Sequence, residues 1–159
     1  MRRGGIQQLD LVSHKESFCR LLIDLHKHNF ADSDLMFESV VDYFDSNLLR
    51  HLDKYKVDVF IDEDNQVVGF TVCYVSVSFV ELCEKKTQQL QLKELYVCEK
   101  HRNKGIGTLL MENVIRRARD VGCYRIDWNV RDWNEGGIEF YKRMGAGFVS
   151  DRKSMRIEL

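Results

Sequence analysis

Apolar and polar positions change period several times along this chain, and each change marks an element. Residues 6–12 alternate weakly and predict a first strand. Ser13 followed by Glu16 reads as a capping box, after which Phe18, Leu21, Leu22, Leu25 and Phe30 recur near helical period and predict a helix to about Asn29. In a second predicted helix Phe37, Val40, Val41, Phe44 and Leu48 share one face, while Asp34, Glu38, Asp42 and Asp45 form a stripe on another. The period then shortens to two. Residues 57–62 and 67–75 are rich in strand formers and flank the turn cluster Glu63-Asp64-Asn65-Gln66, so they predict a hairpin; Gly69 marks a bulge or a close approach in its second strand. Residues 76–89 prolong that strand and then loop at Glu84-Lys85-Lys86.

The second half repeats the alternation between periods. Residues 90–97 predict a strand and residues 124–130 another, with a helix over 104–121 between them that carries Leu109, Leu110, Val114, Ile115 and Ala118 at helical spacing and ends at Gly122. Strand, helix and strand with a short return imply a right-handed crossover and a parallel pair. Asn134 caps a shorter helix through Ile138, Phe140, Tyr141 and Met144, and residues 145–149 and 155–159 predict two closing strands.

Composition narrows the class. At 159 residues the chain suits one domain, residues 1–159, able to bury roughly two thirds of its unfolded surface. No run of about 18 apolar residues occurs and the N-terminus lacks an apolar signal core, so no membrane partner and a cytoplasmic location are expected. Five cysteines without a C-x-x-C spacing read as reduced thiols, and five histidines without an i, i+4 pair predict no metal site. The net charge of −1 hides an acidic first half and a basic second half. Arg116, Arg117 and Arg119 surround one helix instead of forming a flat patch with aromatics, so no nucleic-acid partner is expected.

The candidate chemistry gathers at Arg102-Asn103-Lys104-Gly105-Ile106-Gly107, a glycine turn that leaves a strand and opens a helix. Two glycines there let backbone amides face a ligand without an obstructing Cβ, and the helix dipole favours an anion. A pyrophosphate suits that geometry, with Arg102 and Lys104 adding charge. The spacing fits neither the P-loop, which ends in Gly-Lys-Ser/Thr, nor the dinucleotide pattern, which needs a third glycine.

This turn, the strand ending Leu95-Tyr96-Val97 before it, and the stretch from Asp132-Trp133-Asn134 to Phe140-Tyr141-Lys142 together resemble the GNAT superfamily of N-acetyltransferases, most of all its diamine (spermidine/spermine) branch. The resemblance implies an α+β GNAT fold, a mixed and mostly antiparallel sheet of about seven strands splayed after the fourth and flanked by about four helices. It also implies acetyl-CoA as co-substrate, its pyrophosphate on the backbone of Arg102, Asn103, Lys104, Gly105, Ile106 and Gly107, its pantetheine along Leu95 and Val97, and further contacts near Asn134. A homodimer follows from the resemblance alone. Where the diamine branch has two acids before the strand end, this chain has Lys93-Glu94, leaving one candidate carboxylate.

An acetyl acceptor must be a neutral amine, whereas an alkylamine of pKa about 10.4 is roughly 1 part in 2,500 neutral at pH 7. Glu94 is the candidate base, acting directly or through water, and Tyr141 the candidate acid for the leaving thiolate; strand amides near Val97 are candidate donors to the carbonyl oxygen. Asp34, Glu38 and Asp42 can attract a cationic substrate or simply form a solvated helix face. Trp128, with Trp133 and Tyr96, can line an acceptor pocket or fill core. The expected activity is direct acetyl transfer to a primary amine of a small molecule, a di- or polyamine or a related amine. Another amine (amino acid, aminoglycoside or protein) or a non-catalytic acyl-CoA sensor stays open beside it.

Overall fold

The computed structural model describes residues 4–159, and the chain divides into two compact units, one ending at Trp128 and the other running from Asn129 to Leu159. The first unit carries the sheet. Strands β1 (Gly5–Gln8), β2 (Lys56–Ile61), β3 (Val67–Val77) and β4 (Gln88–Val97) lie side by side in chain order, each antiparallel to the next, and β5 (Ile126–Asp127) pairs in parallel with β4. The hairpin of β2 and β3 closes as its pattern predicts. Asp62 accepts the amides of Asp64 and Gln66 at 3.0 and 2.9 Å, and Asn65 takes the left-handed conformation at φ 60°.

Helix α1 (Leu11–Asn29) starts earlier than the Ser13–Glu16 pattern predicts. Asp10 is its N-cap, accepting the amide of Val12 at 3.0 Å and the hydroxyl of Ser13 at 2.7 Å, and that start cuts β1 short of the predicted Val12. Helix α2 (Phe37–Tyr43) continues into a π turn (Phe44–Leu48) and a 3₁₀ turn (Leu49–Lys54). The predicted acidic stripe is broken by this geometry. Asp34 precedes the cap residue Met36, Asp45 sits in the π turn and pairs with Lys15 at 2.7 Å, and only Glu38 and Asp42 remain one turn apart on α2.

The sheet is covered on both faces. On one, Phe18, Leu21, Val40 and Phe44 of the first two helices pack against Val57, Val59, Ile61, Val67, Phe70 and Tyr96, with Phe18 edge-on to Phe44 and Phe70 at 6.1 and 5.1 Å. On the other, Ile106 and Leu110 of helix α3 (Ile106–Asp120) meet Val68, Val97, Leu95, Phe60 and Ile6. Gly69 serves both predicted purposes. A Cβ there would stand 3.0 Å from Leu110 Cδ1 and 3.2 Å from the Tyr96 carbonyl, and the β2–β3 register slips beside it between Phe60 and Ile61. Beneath α3, the buried carboxylate of Asp58 accepts Asn113 Nδ2 at 2.9 Å and the Arg117 guanidinium at 2.8 and 2.6 Å.

Two corrections concern the strands. β5 is two residues long instead of seven, and residues 145–159 form no strand, so the sheet has five strands rather than about seven. Met155, Ile157 and Leu159 alternate but stay exposed; alternation makes a strand only where a sheet edge receives it. The second unit holds helix α4 (Glu135–Arg143), begun by Asn134 and ended by Gly145 at φ 89°, where the amides of Gly145 and Ala146 return to the carbonyls of Lys142 and Tyr141. Among the described residues the α-helices number four, as expected. No helix among the described residues is long and apolar enough to cross a membrane.

Candidate functional site

The site in the first unit is built on the second half of β4. Val72 of β3 pairs with Glu94 and Cys73 with Leu92, which leaves Lys93 as an extra, bulged residue. The bulge reverses the pleat. Glu94 stands on the face of its partner Val72, with Tyr96, while Leu95 and Val97 pack toward α3. β5 pairs only with Leu90 and Gln91, so among the described residues β4 has a strand on one edge alone from Leu92 onward. The N–H and C=O groups of its other edge face away from the sheet, where an extended ligand can take them. Glu94 is exposed beside that edge.

From Val97 the chain makes a 3₁₀ turn (Glu99–His101) and two left-handed residues, Asn103 at φ 60° and Gly105 at φ 78°. Gly105 is the N-cap of α3. Whereas α1 and α4 are capped by the side chains of Asp10 and Asn134, α3 receives no side-chain cap, and its first amides stay available to an anion. A Cβ at Gly105 would meet nothing within 4 Å, so it is the positive φ that requires glycine there. Asn103 and Lys104 are exposed and Gly107 half-buried, while the Ile106 side chain is buried in the α3 cluster, so this residue can offer a ligand only its backbone. Arg102 folds back onto β4. Its Nε donates to the Val97 carbonyl at 3.1 Å and its guanidinium lies 5.5 Å from the Tyr96 ring centre.

Glu94, Leu95, Val97 and residues 102–107 are thus brought to one strand end and one helix start. Asp34, Glu38 and Asp42 are exposed on and before α2, and Trp128 is half-buried just past β5. In the second unit, Asn134 Oδ1 accepts the amide of Gly137 at 3.0 Å, and a Cβ on Gly137 would come within 2.6 Å of Asn134 Nδ2. Gly137 therefore makes room for the cap. Tyr141 is half-buried in α4, its ring 5.2 Å from that of Phe140.

Two features escaped the sequence reading. The bulge has a signal, since Leu90 and Leu92 are two apart but Leu92 and Leu95 are three apart before the alternation resumes at Val97. The contact of Arg102 with Tyr96 has none. All five cysteines are free, and burial pushes the Cys73 thiol up to about 11, which removes it as a nucleophile near neutral pH.

Residues 18–146 match the Acetyltransferase (GNAT) family. L-ornithine N5-acetyltransferase NATA1 of Arabidopsis thaliana is 29% identical over 119 residues, covering 67% of this chain and 50% of that protein. Thialysine N-epsilon-acetyltransferase of Bos taurus is 34% identical over 80 residues, covering 50% of this chain and 44% of that one. The chain thus spans about half the length of these curated relatives. An integron cassette protein from the mobile metagenome of V. cholerae, a solved structure, superposes with a TM-score of 0.86 at 25% identity, covering 99% of this chain and 94% of that one.

Proposed function

The chain belongs to the GNAT acetyltransferase family, and on that premise we propose that it transfers an acetyl group from acetyl-CoA to a primary amine of a small molecule. The observation that carries this reading is the helix α3 start, left without a side-chain cap behind Gly105 at the end of a strand with one open edge. The residues fit the co-substrate. The amides at 105–107 and the Lys104 charge would hold its pyrophosphate, and the open edge of β4, at Leu95 and at the Val97 amide whose carbonyl Arg102 already engages, would pair with its pantetheine amides. Acetyl-CoA supplies an activated thioester; the chain supplies position and proton transfer. Glu94 takes the proton of the amine, directly or through a water, and Tyr141 gives one to the departing thiolate. The Tyr141 assignment rests on the resemblance of residues 132–146, and the family match, which runs through both units, supports reading them as one acetyltransferase domain.

The named relatives act on ornithine and thialysine, which favours an acceptor whose amine ends a flexible side chain. Polyamines belong to the same chemical class. The test is release of free thiol from acetyl-CoA with a panel of ornithine, lysine, thialysine, spermidine and an aminoglycoside. Turnover is expected with at least one diamino acid or polyamine; acetyl-CoA binding without turnover on any amine would overturn catalysis and leave a sensor of acyl-CoA.

A further inference from the structure

Arg102 is an exposed, long side chain at the first position of the anion-binding turn, and a free arginine there would lose rotamer freedom on meeting a phosphate. It is not free in this fold. Its Nε is engaged by the Val97 carbonyl at 3.1 Å, and its guanidinium lies over Tyr96 at 5.5 Å. Tyr96 is itself fixed. It is 7% exposed, set against Phe70 at 6.5 Å on the core side, and His28 from the end of α1 lies 5.9 Å from its ring. Both neighbours register the cation. Burial pushes the Tyr96 phenol up while Arg102, by charge and by a hydrogen bond, pulls it back; burial and then the Arg102 charge hold the His28 imidazole down. Asp24 and Glu99 act on the same pair with opposite sign.

We propose that Tyr96 is a positioning residue for the anion site, its ring ordering Arg102 at the end of β4 so that the terminal guanidinium nitrogens stand ready for the acetyl-CoA pyrophosphate. The inference rests on the functional reading above, and its chemistry is that of a planar cation ordered in advance by an aromatic face and one carbonyl.

A double-mutant cycle on acetyl-CoA affinity, read by titration calorimetry, tests it. Arg102→Gln should weaken binding roughly tenfold. Tyr96→Leu should weaken it about fivefold in the parent chain but by less than about twofold when Arg102 is already Gln. Tyr96→Phe, which keeps the ring, should recover most of the loss. Equal losses from Tyr96→Leu with and without Arg102, or no loss, overturn the inference while acetyl-CoA binding stands; absence of binding by the unchanged chain overturns the functional reading and the inference together. Should Tyr96→Leu fail to fold, Arg102→Lys serves at an exposed position. It keeps the charge but has no second nitrogen to hold over the ring while donating to Val97, so it should lose nearly as much as Arg102→Gln, and parental affinity in that variant overturns the inference.

Discussion

A thiolate leaving group of pKa near 8.5 departs without help more readily than an alkoxide would, yet until a proton reaches it the thiolate can add back to the carbonyl carbon of the newly acetylated amine and reverse the transfer. A phenol on the helix after Asn134 is suited to that step, which sets a residue-scale prediction. Tyr141→Phe removes one oxygen and keeps the ring, so its packing on Phe140 at 5.2 Å persists and the fold should not change. Steady-state turnover at saturating acetyl-CoA and amine should fall at least about tenfold. An unchanged rate would take Tyr141 out of the mechanism and leave proton return to solvent. At this scale the sequence is informative about residue types and silent about their settings. Glu94 was nameable from its place before Leu95-Tyr96-Val97, but its face of the sheet depends on the Lys93 bulge, and Arg102 could not be seen to fold back on Tyr96 because a 3₁₀ turn between them brings the two together.

Among the elements, ends that depend on local chemistry were legible and those decided by neighbours were not. Gly122 at φ 76° ends its helix as expected and Gly145 at φ 89° ends α4 in the same way, since only a residue tolerant of the left-handed region closes that turn without strain. Asp10 and Ser13 both satisfy cap chemistry. The choice falls to Asp10 because the amide of Leu9 still bonds to the Val57 carbonyl at 3.0 Å, so the chain leaves the sheet one residue later. The α4 start gives the element-scale prediction. Gly136 and Gly137 both look like weak helix formers, but a Cβ meets nothing within 4 Å at the first and the Asn134 side chain at 2.6 Å at the second. Gly136→Ala should therefore stabilise by up to about 1 kcal/mol. Gly137→Ala should displace the cap and cost about 0.5 to 2 kcal/mol. Hydrogen exchange of the α4 amides distinguishes them; equal protection in both variants would mean that the cap contributes nothing.

At the scale of the whole molecule, five strands, the parallel pairing of β5 with β4 and four helices were readable from their periods and order, whereas the shortness of β5 and the fate of the tail were not. Two residues of β5 are held by β4 rather than by their own pattern, and the tail's alternation finds no sheet edge. The same limit hides Asp58. In Val57-Asp58-Val59 an alternating reading sends the acid to solvent, which holds for a sheet with one wet face. Here α3 covers that face, and Asp58 is 3% exposed between Asn113 and Arg117. Arg117 in turn is partly exposed, so the pair joins the sheet interior to the rim of α3, the helix whose start is the proposed anion site. Removing the acid alone leaves a cation without its counter-charge and an amide without its acceptor. Asp58→Ala should cost about 3 to 5 kcal/mol of unfolding free energy, and Asp58→Ala with Arg117→Met much less, because the pair's attraction is largely offset by its desolvation. Urea unfolding of the three chains measures both. If the double variant is as unstable as the single, the loss lies in the cavity at Asp58 and not in a stranded charge, and α3 is held to the sheet by its apolar face alone.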